Sequence, residues 1–160
     1  MMSKTLVAYF SASGATERLA NTLADAAGGE LYEIKPASPY TNADLNWNNK
    51  QSRSSVEMND KAARPAIAVP VENMAQYDVV FVGFPIWWYE APRIVQTFLE
   101  SYDFSGKTVI PFATSGGSGM GKTASILEKS CPSAKVLPGK KLSASASMSE
   151  VSSWVKSLGL

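Results

Sequence analysis

Three short runs of this chain, Thr5 to Phe10, Val79 to Phe84 and Thr108 to Ala113, are apolar at almost every position. A strand with one wet face alternates apolar and polar residues, whereas a near-continuous run suits a strand buried on both faces. Two weaker strands are expected over Glu30 to Lys35 and Ala134 to Lys141. Helical patterns fall between them. Leu19, Ala20, Leu23 and Ala24 share one face, as do Ile94, Phe98 and Tyr102 after Pro92, and Ile126, Leu127 and Cys131. Val151, Trp154, Val155 and Leu158 form an i, i+3, i+4, i+7 stripe at the C-terminus. Strands alternating with helices predict an α/β fold with a parallel sheet covered on both faces. The 160 residues suit one domain, 1–160, able to bury about 70% of its unfolded surface. No internal repeat is visible.

One connection is long. Pro36 to Asp78 holds a polar, Asn- and Ser-rich stretch in which only Leu45, Trp47, Val56 and Met58 are sizeable apolar anchors. It is too long for plain loop in a compact domain, which predicts an irregular helix within a crossover. Trp47 and Tyr40 are expected to pack there.

Composition narrows the chemistry. Fifteen Lys and Arg face fourteen Asp and Glu, with no basic stripe, which argues against nucleic acid as a partner. No apolar run is long enough to span a bilayer, and the N-terminal residues lack the pattern of a secretory signal, so a cytoplasmic location is expected. The single cysteine, Cys131, follows an apolar helix face and precedes Pro132; burial suits it better than reactivity. There is no histidine, the commonest general base and metal ligand. Any enzymatic chemistry therefore points to a bound cofactor, with no catalytic side chain assigned and no metal expected.

In an open parallel sheet, ligands sit beyond the carboxyl ends of the strands. Three loops leave those ends here. The first, Ser11, Ala12, Ser13, Gly14, Ala15 and Thr16, joins a buried strand to a helix start. Helix-start N–H groups lack intrahelical partners, so three hydroxyls and a glycine around them make a seat for a phosphate. The same residues would also serve as a plain helix cap. The second loop, Pro85, Ile86, Trp87, Trp88, Tyr89 and Glu90, offers an aromatic wall. The third, Thr114, Ser115, Gly116, Gly117, Ser118 and Gly119, offers bare backbone. Together they describe a pocket for a flat aromatic ring carrying a phosphate tail. In an extended chain Trp87 and Trp88 point to opposite sides, and Trp87 is favoured as the one near the ring. Glu90 is expected to be a solvated loop charge.

With these three loops in register, the chain resembles the flavodoxin family, and most of all its short bacterial members. The resemblance covers nearly the whole chain in element order. It implies a flavodoxin-like three-layer sandwich, with a five-stranded parallel sheet of order 2-1-3-4-5, and bound FMN. Ser11, Ser13, Gly14, Ala15 and Thr16 would hold the FMN phosphate. Pro85, Ile86, Trp87, Trp88 and Tyr89, with Thr114, Ser115, Gly116, Gly117 and Gly119, would hold the isoalloxazine ring.

A competing pattern overlaps the third loop. Gly116 to Thr123 reads Gly-Gly-Ser-Gly-Met-Gly-Lys-Thr, which satisfies the nucleotide-binding pattern G-x-x-x-x-G-K-[ST]. Such a site also needs an acidic residue at a neighbouring strand end to support magnesium. Asp78 stands at the wrong end of its strand. Only 37 residues follow Thr123, little more than one βαβ unit of roughly 30 residues. The flavin reading is preferred, with Lys122 a helix residue.

Two functions follow from the resemblance. One is a reductase in which NAD(P)H reduces FMN and a quinone-like acceptor reoxidises it; reductases of this fold often pair, so a homodimer is one expectation. The other is a flavodoxin proper, a one-electron carrier between redox proteins. Carriers of the family are usually strongly acidic, which steers them to basic partners. They also use a glycine peptide that flips beside the flavin N5. Here the charge is nearly balanced and Pro85 to Pro92 holds no glycine, which tilts the reading toward the reductase. A regulatory or storage flavoprotein is a third possibility.

Overall fold

A computed structural model of the chain describes residues 4–12, 14–88, 90–114 and 123–160. The three apolar runs form the centre of one parallel sheet: β1 (Lys4–Tyr9), β3 (Tyr77–Pro85) and β4 (Thr108–Thr114). β2 (Glu30–Glu33) pairs with the outer side of β1. On the far side of β4 lie two short pieces, β5 (Lys135–Val136) and β6 (Lys140–Lys141). The order is β2-β1-β3-β4-β5, the 2-1-3-4-5 arrangement, with β6 also on β4.

Side-chain alternation along the strands builds a core on each face. Leu6, Ala8, Phe10, Val80, Val82 and Phe84 point one way, into a core completed by α3 (Arg93–Glu100) and by Leu127 of α4 (Thr123–Glu128). Val7, Tyr9, Val79, Phe81, Ile110 and Phe112 point the other way, under α1 (Ala15–Ala27) and α5 (Met148–Ser157). The C-terminal stripe is thereby accounted for: Val151 and Trp154 are buried, and Trp154 meets Phe81 edge-on. Cys131 is buried too, and burial pushes its thiol up to about 11. Among the described residues no helix is long and apolar enough to cross a membrane.

The single strand expected over Ala134 to Lys141 is broken in two, and Pro111 is the reason. Lys107, Val109 and Ala113 turn their carbonyls toward the edge, accepting from the N–H groups of Lys135, Leu137 and Leu142. Pro111 faces the same way and has no N–H to give. There the edge carries one residue too many: Leu137, Pro138 and Gly139 stand opposite Ile110 and Pro111. Gly139 has φ +76°, and a Cβ on it would lie 2.2 Å from the Pro111 carbonyl oxygen. Only glycine fits that kink.

The crossover contains the expected helix, α2 (Arg53–Asn59), capped by Ser52, whose Oγ accepts from the Ser55 N–H. Its anchors differ from expectation. Met58 is buried, but Trp47 is 69% exposed and Val56 is exposed as well. The stretch before α2 is a series of turns that satisfy their own polar groups. Thr41 N–H donates to Asp44 and Asp44 N–H to the Thr41 hydroxyl, and the Asn46 and Asn49 side chains accept from the N–H groups of Asn48 and Gln51. Such turns need no aromatic anchor, so Trp47 stays at the surface.

Candidate functional site

The described parts of the three strand-end loops share one rim. The Phe10 N–H donates to the Gly83 carbonyl at 2.9 Å, fastening the end of β1 to β3. The Ile86 N–H donates to the Thr114 carbonyl at 2.9 Å, fastening the chain after β3 to β4. The Thr16 and Thr114 hydroxyls lie 2.8 Å apart and join the start of α1 to the end of β4.

In the first loop, Gly14 precedes α1 with φ +93°, a left-handed conformation that glycine adopts without a Cβ penalty. The Ser11 Oγ folds back to accept from the N–H groups of Gly14 (3.0 Å) and Glu17 (3.2 Å). Ala15 and Thr16 open the helix, where N–H groups lack intrahelical acceptors and the helix end is partly positive. Thr16 is only 1% exposed, so its hydroxyl is a link between loops as well as a candidate donor. Ser13 lies outside the described residues.

The second loop is a tight turn. The Trp87 N–H donates to the Glu90 carbonyl at 2.9 Å, and the Glu90 N–H returns to the Trp87 carbonyl at 3.0 Å. Between them Trp88 sits at φ +48°, an uncommon conformation for a bulky residue. The two tryptophans therefore diverge through a turn rather than along an extended strand. Trp88 is 44% exposed. Trp87 is half-buried and meets Phe10 and Tyr40 edge-on, at 5.7 and 5.6 Å between ring centroids. Pro85 and Ile86 are half-buried beside them. Tyr89 lies outside the described residues. Of the third loop only Thr114 is described; Ser115, Gly116, Gly117, Gly119 and Lys122 lie outside.

Glu90 is not the free loop charge expected from sequence. Its carboxylate lies 3.0 Å from Arg93 Nη1. Arg93 is 2% exposed, and the rest of its guanidinium is held by Gln96 Oε1 and by the carbonyls of Glu57 and Met58 near the C-terminal end of α2. A cation in the first turn of a helix opposes the dipole unless something pairs it. That misplaced charge, directly after Pro92, was the available sequence signal for Arg93.

A second arm reaches the same turn from α2. The Tyr40 hydroxyl donates to the Glu57 carboxylate, which also accepts from Arg53 Nε at 2.9 Å. The Arg53 guanidinium lies 3.8 Å above the Tyr40 ring. Burial, then the Glu57 carboxylate, push the Tyr40 phenol well above its ordinary value, so it stays protonated and donating. Tyr40 packs, as expected, but against Trp87 at the rim.

The arrangement offers a seat for an anion beside a half-buried aromatic wall at the carboxyl edge of a parallel sheet. The flavodoxin family model matches residues 4–158. The chain belongs to the flavodoxin family. Among solved structures, this flavodoxin-family chain is 53% identical to a candidate flavoprotein from Bacteroides eggerthii, with 99% of each chain covered and a TM-score of 0.92. It is 51% identical to another from Bacteroides uniformis, covering 98% of this chain and 99% of that one, again with a TM-score of 0.92. A Lactobacillus acidophilus flavoprotein solved in complex with FMN shares the fold at 24% identity, with 96% and 99% covered and a TM-score of 0.71. No curated protein sequence matches significantly.

Proposed function

We propose that this protein is an FMN-binding oxidoreductase that takes two electrons from NAD(P)H and passes them to a quinone-like small acceptor. The first loop suits the FMN phosphate: Gly14 supplies the left-handed entry, Ser11 draws the loop inward, and the start of α1 supplies donors without a paired cation. The half-buried Trp87 and the exposed Trp88 suit the ring edge. Ser13, Tyr89 and Ser115, with Gly116, Gly117 and Gly119, complete the proposed contacts. Bound FMN supplies the hydride-accepting ring; the chain binds it, orients it and limits what surrounds it.

The observation that carries the two-electron reading is the closed turn at the proposed ring site. Trp87 and Glu90 bond each other in both directions, and Arg93 holds Glu90 from below. In a two-residue turn, the alternative orientation of the central peptide asks for glycine at the first position, which here is Trp88. A turn of this kind does not readily rotate to follow single-electron changes. The near balance of charge adds to this, since a carrier steered to a basic partner gains from a strongly acidic surface.

The test is anaerobic titration of the FMN-loaded protein with NADH and NADPH. Full bleaching of the flavin absorbance by about one equivalent of either, with reoxidation by a small quinone, is expected. Failure of both nucleotides, with ready one-at-a-time exchange with a redox protein, would establish the carrier instead.

A further inference from the structure

A cavity of about 290 Å³ opens on the α3 face, between the chain after α2 and the chain after α4, and Glu90 stands at its edge. Four of its lining side chains are cations: Lys61, Arg64, Arg93 and Lys129. Glu90 is the one carboxylate among the described lining residues. Two of these cations are already engaged. Arg64 grips Glu100 with two bonds, of 2.9 and 3.0 Å, and Arg93 is tied to Glu90 and to α2. Lys61 and Lys129 form no ion pair among the described residues. They come from the separate segments that follow α2 and α4, and they border the same cavity. The floor between them is fixed, because Arg93 and Gln96 are buried.

Gathering like charge around a concave, partly desolvated site is unfavourable until an anion enters, and it focuses the field on that anion. Lysine suits a phosphate as a point charge with three rotatable donors. The cavity is too small for a whole dinucleotide but large enough for a phosphate-bearing part of one. It is not the proposed FMN phosphate seat, because that seat is the β1–α1 loop and α1 packs on the other face of the sheet. It is joined to the proposed ring wall through Glu90, which belongs to both.

We propose that this cavity binds a phosphate group of the pyridine dinucleotide donor, through Lys61 and Lys129, while the nicotinamide reaches the rim past Glu90. The proposal rests on the reductase reading above. It names one chemistry, a phosphate ester, with two sources in such a donor: the diphosphate bridge and the 2′-phosphate that distinguishes NADPH from NADH.

The test uses FMN-loaded protein and calorimetric titration with ADP and with 2′,5′-ADP. Binding that weakens at least tenfold in the Lys61→Gln/Lys129→Gln double variant is expected. FMN affinity should not change, and the charge control Lys156→Gln on α5, across the sheet, should bind normally. In steady state the double variant should raise the KM for the nucleotide with little change in kcat. Preference for 2′,5′-ADP assigns the 2′-phosphate, preference for ADP assigns the diphosphate, and equal binding assigns the 5′-phosphate that both carry. Absence of binding by either probe, or binding that the double variant leaves intact, would overturn the proposal. Lysine-dependent binding in a protein whose FMN no pyridine nucleotide reduces would uphold the anion site and overturn the reductase reading.

Discussion

The Thr16 hydroxyl lies 2.8 Å from that of Thr114, and the two carry two protons between them. One proton bridges the pair, and the other is available to a third acceptor. A phosphate oxygen at the first loop would take it. Thr16→Val is therefore expected to weaken FMN binding while leaving riboflavin, which has no phosphate, much less affected. Gly14→Ala should act in the same direction, because a Cβ at φ +93° costs about 1–2 kcal/mol in the loop that presents the N–H groups. Parallel titrations of both ligands decide it. Equal losses for the two would remove the phosphate from this loop. Residue by residue, the sequence was legible where chemistry was local: Gly14 before a helix, hydroxyls around it, Cys131 on an apolar face. It misled where the outcome depended on how a turn folds. Glu90 reads as a loop charge until Arg93 is brought to it, and Trp47 reads as an anchor until local turns make one unnecessary.

Among the elements, α2 gains most from its neighbours. Seven residues are too few for a helix to be stable alone, so tertiary contacts must hold it. Arg93 supplies them by donating to the Glu57 and Met58 carbonyls while holding Glu90. Arg93→Met should cost about 3 kcal/mol, since it strands buried carbonyls and unpairs a carboxylate. Urea unfolding measures that loss, and Arg93→Lys should recover only part of it because one ammonium cannot span all four acceptors. A loss below about 0.5 kcal/mol, the scale of an ordinary surface substitution, would mean that the contacts are incidental. The central strands and main helices were readable because apolar periodicity reports burial directly. The crossover was readable only as something other than loop, because a buried arginine and a serine cap hold it, and neither leaves a hydrophobic pattern.

At the scale of the whole molecule, fold and family were legible in the order of elements, with three buried strands each ending in a distinctive loop. Electrostatics acts at this scale too. With fifteen basic and fourteen acidic residues the protein has little net field to steer a charged partner. Electron exchange between the FMN-loaded protein and a basic redox protein should change less than about threefold between low and high salt, where screening shortens the Debye length from ~30 Å at 0.01 M to ~3 Å at 1 M. Stopped-flow rates across a salt series would show this, and a steep fall would reveal a local acidic docking face. The broken edge of the sheet matters here as well. A strand at a sheet margin shows its unpaired amide groups to any passing chain, and a long flat margin invites a second molecule to extend the sheet. Here the margin is two pairs of residues separated by Leu137, Pro138 and Gly139, three of its four strand residues are lysines, and the kink is held by a proline one strand further in. Pro111 thus acts beyond its own strand, making that margin a poor template for aggregation.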